Sequence, residues 1–195
     1  MKKTTTKKLV SIAMLAAVST ALMFIDFPIP LMPPFLKLDI SEVPVLIATF
    51  AMGIPAGIAV AFIKNALHLF VSTTMYVGEL SNFLISVAMV VSAGIVYSRN
   101  KTRKNAVLAL VVSTVVTIIF AALINRFFII WAYVNMMGLT EEKIVAICNG
   151  VNKHVTSING YIYFGVIPFN FIKSVINAVV TLLLYKRISK IIKKQ

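Results

Sequence analysis

Acidic side chains are scarce in this chain: 6 Asp and Glu against 19 Lys and Arg in 195 residues, a formal net charge of +13. There is 1 cysteine, Cys148, so no internal disulfide can form, nothing about redox compartment follows, and the residue reads as incidental apolar filling rather than a nucleophile. The 2 histidines, His68 and His154, stand far apart in sequence. No His-Glu-x-x-His, Gly-x-Ser-x-Gly or Gly-x-x-x-x-Gly-Lys-[Ser/Thr] occurs. Those gaps argue against zinc-protease and serine-hydrolase chemistry and against use of ATP through a phosphate loop. A membrane enzyme of lipid or peptide chemistry lacks its parts, and neither a metal site nor a resident cofactor is expected.

What the chain has in excess is hydrocarbon. It is 59% hydrophobic and 13% charged, with a mean hydropathy of +0.94. Long apolar runs place it among integral membrane proteins. The length suits one polytopic domain, 1–195, and a bundle of six spans uses nearly all of it. No stretch is left for a soluble catalytic or nucleotide-binding domain.

The charge is distributed to match. Lys2, Lys3, Lys7 and Lys8 precede the first apolar run, Arg99, Lys101, Arg103 and Lys104 fill one short loop, and Lys186, Arg187, Lys190, Lys193 and Lys194 follow the last run. The acids Asp26, Asp39, Glu42, Glu79, Glu141 and Glu142 all lie elsewhere. Basic residues gathered beside hydrophobic ends follow the positive-inside rule, a better account than nucleic-acid binding, so the expected partner of these clusters is the bilayer and no nucleic acid is expected.

The apolar runs predict an all-α bundle with spans near 9–26, 43–53, 56–72, 79–98, 105–136 and 160–187. The first reads as a retained helix: it is longer than a usual signal core and lacks an Ala-x-Ala cleavage site. Pro28, Pro30, Pro33 and Pro34 forbid a regular helix between the first two runs, so that segment is a structured outer loop. The second and third runs are short and meet at Gly53-Ile54-Pro55; short or broken spans often line a binding cavity. Thr140-Glu141-Glu142 is a helix-start signal within an otherwise polar outer segment. Six spans put both termini on one side, and all three basic clusters are cytoplasmic under one assignment: a multi-pass protein of the plasma membrane with both ends in the cytoplasm.

Polar groups within hydrocarbon are costly and by default mark function. Asn170 and Lys173, three apart in the last run beside Pro168, share a helix face and are the hardest to explain by packing. Glu79 and Asn82 share a face at the start of the fourth run, and Lys64 and His68 are an i,i+4 pair in the third. Lys64 and Glu79 either pair with each other or contact a ligand. His68 reads as a packing histidine, Asn82 and Asn125 as interhelical hydrogen-bonding groups or ligand contacts, and Arg126 as snorkelling to the interface. A shared outward-opening cavity would collect these groups, with Phe, Tyr and Trp131 available to an aromatic ligand. Ala13, Ala17 and Ala21 make a small-residue face on the first helix, which packs either within the bundle or against another subunit.

Five segments in order carry a family resemblance: Phe35-Leu36-Lys37-Leu38-Asp39-Ile40-Ser41-Glu42-Val43-Pro44, Gly53-x-x-x-Gly57, Ile63-Lys64-Asn65-Ala66-Leu67-His68, Gly78-Glu79-Leu80-Ser81-Asn82-Phe83, and Pro168-Phe169-Asn170-Phe171-Ile172-Lys173. Their order and spacing resemble the riboflavin-specific substrate-binding components of energy-coupling factor (ECF) transporters, over nearly the whole chain. The resemblance implies a six-helix protein that captures riboflavin from outside as transported ligand. It also implies docking onto a module of one transmembrane coupling subunit and two cytoplasmic ATPases. By the same resemblance Ala13 and Ala17, extended by Ala21, form the docking element, and Asn170 and Lys173 contact the flavin ring. Asn125, Glu79 and Asn82 serve the ring or ribityl chain, and the loop from Pro28 to Asp39, with Leu38 and Asp39, covers the site. Lys64 joins the binding residues if it contacts ligand. The competing readings are the same architecture for another vitamin, such as thiamine or biotin, and a stand-alone proton-coupled carrier using Glu79 or His68.

Overall fold

The structure is a computed structural model that describes residues 2–192; Lys193 and Lys194 of the C-terminal basic cluster lie outside the described residues. Its elements are α1 (Lys2–Phe24), a two-residue antiparallel pairing of β1 (Phe27–Pro28) with β2 (Lys37–Leu38), α2 (Glu42–Met52), α3 (Ile54–His68), α4 (Val77–Arg99), α5 (Arg103–Ile124), α6 (Ile130–Met137), α7 (Glu141–Val151), α8 (Ile158–Tyr161) and α9 (Ile167–Ile192). The fold is helical, as the apolar runs require. Five continuous helical stretches, 6–24, 54–71, 77–99, 103–137 and 158–184, are long and apolar enough to cross a bilayer. Along α5, Leu108, Val111, Val115, Ile119 and Leu123 stand exposed at three- and four-residue intervals, an apolar stripe that only hydrocarbon would cover without penalty.

The short helix α2 is the centre of the bundle. It packs against α1, α3, α4 and α9, and Val43 through Phe50 are buried except Ile47. At 11 residues it is about 16 Å long at about 1.5 Å per residue, roughly half of a hydrocarbon core of about 30 Å, and its neighbours encase it. Gly53 makes the turn into α3 at φ +92°, a backbone conformation that side chains with a Cβ rarely adopt. Gly57 then lets α3 close onto its neighbours: a Cβ there would collide with the Thr49 side chain and come within 2.9 Å of Val90 Cγ1.

The proline segment is structured by a short hairpin. Phe27 pairs with Leu38 and Pro28 with Lys37, and Lys37 Nζ lies 3.2 Å from Asp26 Oδ2. The hairpin holds the segment across one end of the bundle. Thr140 caps α7 by accepting from the Lys143 N–H at 3.3 Å, the helix start its sequence signals.

Two π turns, Asn125–Ile129 between α5 and α6 and Ile162–Val166 between α8 and α9, widen the helices beside each other. In each the hydrogen bond spans five residues, Ile130 N–H to Asn125 O and Ile167 N–H to Ile162 O. Pro168 accounts for the second: it has no N–H to give to Phe164 O, and its ring crowds that carbonyl. In the first, Asn125 Nδ2 donates to Ala121 O at 2.9 Å, a bond that Asn65 and Asn177 also make to the carbonyl four residues earlier within regular helix.

Substituting Gly57→Ala will lower the thermal unfolding midpoint of the purified protein in detergent, by an amount equivalent to about 1–3 kcal/mol of overpacking. An unchanged midpoint would show that α2, α3 and α4 do not approach this closely.

Candidate ligand site

The proline hairpin, α4, the first π turn, α6, α7, the end of α8 and the start of α9 enclose a cavity of about 540 Å³, within the range of small-molecule sites. The aromatic part of its wall is Phe35, Tyr133, Tyr161 and Phe169. Phe35 lies between two tyrosines, its ring centroid 5.9 Å from each of Tyr133 and Tyr161. Trp131, an aromatic candidate from sequence, is 57% exposed and does not line the cavity.

Charge is handled by pairing. Four of the six acids, Asp26, Asp39, Glu42 and Glu79, line the cavity, and each has a basic partner. Asp39 Oδ2 accepts from Lys173 Nζ at 2.7 Å, while Oδ1 accepts from the Ser41 N–H at 2.8 Å and from its hydroxyl. Ser41 Oγ in turn accepts from Lys64 Nζ at 2.8 Å. Glu42 Oε1 accepts from Lys64 Nζ and from Ser86 Oγ, the latter at 2.6 Å. Ser41 precedes α2 without capping it, because its hydroxyl is committed to this network. Burial alone would raise the Asp39 carboxyl; Lys173 and Lys64, with the hydrogen bonds from Lys173 and Ser41, outweigh burial and bring it from the ordinary 3.8 down to about 2.

Of the residues expected at a site, Asn170, Lys173, Asn125, Glu79, Asn82 and Asp39 come together on this cavity. Asn170 lines the cavity and donates Nδ2 to Val166 O at 2.9 Å. Asn125 Oδ1 accepts from Tyr161 Oη at 3.3 Å. Glu79 accepts from Ser72 Oγ at 2.7 Å and lies 3.0 Å from His68 Nδ1, and Asn82 donates to Asn65 Oδ1 at 3.1 Å.

Two of the expected residues lie outside the cavity wall. Lys64 does not reach the cavity and does not pair with Glu79: it is fully buried behind α2, where Glu42 at the first turn and Ser41 just before it take its ammonium. Leu38 points into protein from the hairpin and is not part of the cavity wall. Arg126 is exposed, its guanidinium 6.0 Å from the Phe127 ring centroid.

Sequence reasoning missed Glu42, Thr117, Ser174 and Asn177, all of which line the cavity. Asn177 was within reach, since it continues the Asn170–Lys173 face at i+7 and i+4. Glu42 was only partly so: an intramembrane lysine needs a carboxylate, but nothing local selects this one over Glu79.

Residues 7–185 match the family model described as the ECF transporter, substrate-specific component. The chain belongs to this family. It is a transporter component and not an enzyme. It is 36% identical over 188 residues to the riboflavin transporter RibU of Staphylococcus aureus (strain TCH60), covering 96% of this chain and 93% of that one. It is 29% identical over 192 residues to the riboflavin transporter FmnP of Bacillus subtilis (strain 168), covering 97% and 95%. A solved structure of the S component of a bacterial ECF transporter superposes with a TM-score of 0.77 at 34% identity, over 97% of this chain and 99% of that one.

The sign of the Asp39 shift fixes its pH dependence. A depressed carboxyl stabilises the fold above its unfolded value of 3.8, and that contribution is lost as pH falls through about 2. The difference in thermal midpoint between wild type and Asp39→Asn will therefore hold from neutral pH to about pH 4 and shrink below it. A difference that disappears near neutral pH would contradict the pairing.

Proposed function

We propose that this ECF substrate-specific component captures riboflavin from outside the cell and delivers it through a transmembrane coupling subunit driven by two cytoplasmic ATPases. The observation that carries the reading is the meeting of Lys173, Asn170 and Asn125 with the Phe35, Tyr133, Tyr161 and Phe169 rings on one cavity, in a chain related to proteins named riboflavin transporters. A flavin has a flat aromatic body and a polar edge. Lys173 has donors left after Asp39 has taken one, which suit ring carbonyls, and the Asn amides can donate or accept along a mixed edge. Glu79 and Asn82 face the same space from α4.

In this reading six segments cross the plasma membrane and the basic clusters keep both termini in the cytoplasm, with the proline hairpin covering the site from outside. Docking uses α1. Ala13, Ala17 and Ala21 are exposed, while Ala16, Ser19, Thr20 and Met23 of the same helix are buried against the bundle. Small residues on an exposed helix face permit the close approach that helices in a bilayer use in place of the hydrophobic effect.

Protein purified in detergent will carry or take up riboflavin, seen as flavin absorbance and as fluorescence quenching on titration, and neither thiamine nor biotin will compete. Absence of flavin binding, or displacement by either vitamin, overturns the reading. Lys173→Ala will weaken riboflavin binding by about tenfold or more, as expected for a charge-assisted hydrogen bond, without loss of membrane insertion. Near wild-type affinity in the quench titration would remove Lys173 from the site. Ala13→Leu combined with Ala17→Leu will abolish uptake in cells and spare riboflavin binding. Undiminished co-purification with the coupling subunit would reject α1 as the docking helix.

A further inference from the structure

Beside the ligand cavity the bundle has a second hollow, a groove of about 330 Å³ lined by α3, α4 and the connection between them. Two stripes of side chains form its sides. One is Phe62, Ala66 and Leu69, on α3 and the turn that follows it; the other is Tyr76, Leu80 and Phe83, from just before α4 into that helix. Each set has the i, i+4, i+7 spacing of a single helix face, so the groove runs along the helices rather than across them. Seven residues at about 1.5 Å each make it roughly 10 Å long. The Phe62 and Phe83 rings meet edge to face, 5.8 Å between centroids, and close its inner end. Ala66 gives it depth, because only a methyl group stands between the larger Phe62 and Leu69 side chains.

The floor of the groove is chemically satisfied. Asn65 and Glu79 lie there, both buried. Asn65 Nδ2 donates to Ala61 O at 2.8 Å, and its Oδ1 accepts from Asn82 at 3.1 Å. One oxygen of Glu79 is 3.0 Å from His68 Nδ1, and the other accepts from Ser72 and Thr74. A polar ligand would gain little on such a floor, whereas hydrocarbon needs no partner. The rim is continuous with the surface that the bilayer covers. Phe62, Leu69, Leu80 and Met136 are exposed, and they belong to the stretches 54–71, 77–99 and 103–137, each long and apolar enough to cross a membrane. Around the mouth Phe70, Val71 and Met75 also stand exposed, Phe70 at 87%. Tyr76 holds its amphipathic ring there at φ +71°, a conformation uncommon outside glycine, and such rings favour the headgroup level of a bilayer.

We infer that this groove holds one acyl chain of a membrane phospholipid, lying along α3 and α4 with its headgroup beside Tyr76. A straight apolar furrow, parallel to the helices and open sideways to hydrocarbon, fits an extended alkyl chain. Its length of roughly 10 Å takes the outer part of one leaflet, half of a core of about 30 Å. Glu79 lines both this groove and the ligand cavity. The chain therefore lies against the far side of a wall of the ligand site and keeps water from Glu79 and Asn65 on that side. The inference goes beyond the riboflavin reading and does not depend on which vitamin fills the cavity.

The test uses full-length protein washed in a bile-salt detergent, which has no alkyl chain to take the groove, and then supplied with dioleoylphosphatidylglycerol. By native mass spectrometry, wild type will retain a single phospholipid, and Ala66→Phe, whose ring fills the groove, will lose it. Val115→Phe, on the exposed stripe of α5, will retain it. Ala66→Leu, a smaller filling, gives the same comparison if Ala66→Phe lowers the helical circular dichroism. A second measurement locates the chain. In a Trp131→Phe background, which has no other tryptophan, Phe83→Trp will be quenched by phosphatidylcholine with brominated acyl chains, and adding Ala66→Leu will reduce that quenching. Val115→Trp in the same background will be quenched equally with and without Ala66→Leu. Wild type that retains no lipid, equal retention by the Ala66 variants, or quenching at position 83 that is indifferent to Ala66→Leu would each overturn the groove as a lipid site and leave the riboflavin reading standing.

Discussion

The structure depends on pairing every charge that its helices carry into the bundle. Lys64 is fully buried and Lys173 nearly so, and ammonium groups in such surroundings are costly unless each meets a carboxylate and further hydrogen bonds. Glu42 and Asp39 meet them, and Ser41 joins the two pairs into one network. Because the carboxylates sit on and just before α2 while the lysines come from α3 and α9, the pairing fixes where the short central helix lies. It also anchors the last residues of the proline hairpin, so the cover of the cavity and its wall are held by the same contacts. Removing one member leaves an uncompensated charge, which costs more than the pair contributes.

The same economy of polar groups shapes the cavity wall. A π turn sacrifices regular hydrogen bonding, and two of them side by side would be an odd expense in a bundle built for stability alone. Here the first turn carries Asn125, which accepts from Tyr161 at the end of α8, just before the second turn, and both residues line the cavity. Pro168 accounts for the second turn locally, four residues from the carbonyl it leaves without a donor.

How much of this was legible in the sequence follows from the range of each interaction. Helical segments were readable because hydrocarbon demands long apolar runs, and the Asn170–Lys173 face because three residues on a helix are neighbours by geometry. The partner of Lys64 was not readable. Only a few acids were available, but the choice between Glu79 and Glu42 depends on how α2 sits between α3 and α4, which Gly57 decides through a close approach with no local signature. The β1–β2 hairpin was hidden by its prolines, which argue against helix and say little about two-residue pairing. Leu38 was carried along with its neighbours as a site residue; strand alternation turns it to the protein side while Lys37 and Asp39 face the cavity.

A component without its own ATPase must let a partner act on it without losing its cargo, and α1 shows how two demands can be kept apart on one helix. Its buried face carries Ser19, whose hydroxyl donates to Ser41 O at 2.6 Å, and Met23, which lines the cavity. Its opposite face carries the exposed alanines. The helical period separates these sets, so a subunit approaching the alanine face touches neither the cavity wall nor the ion-pair network. Bulk added at Ala13 or Ala17 therefore leaves the cavity wall untouched, whereas a change at Ser19 would reach the ion-pair network through Ser41. The division requires that the alanine face stay free of contacts within the chain, and Ala13, Ala17 and Ala21 meet that requirement while Ala16, one residue from Ala17, is buried.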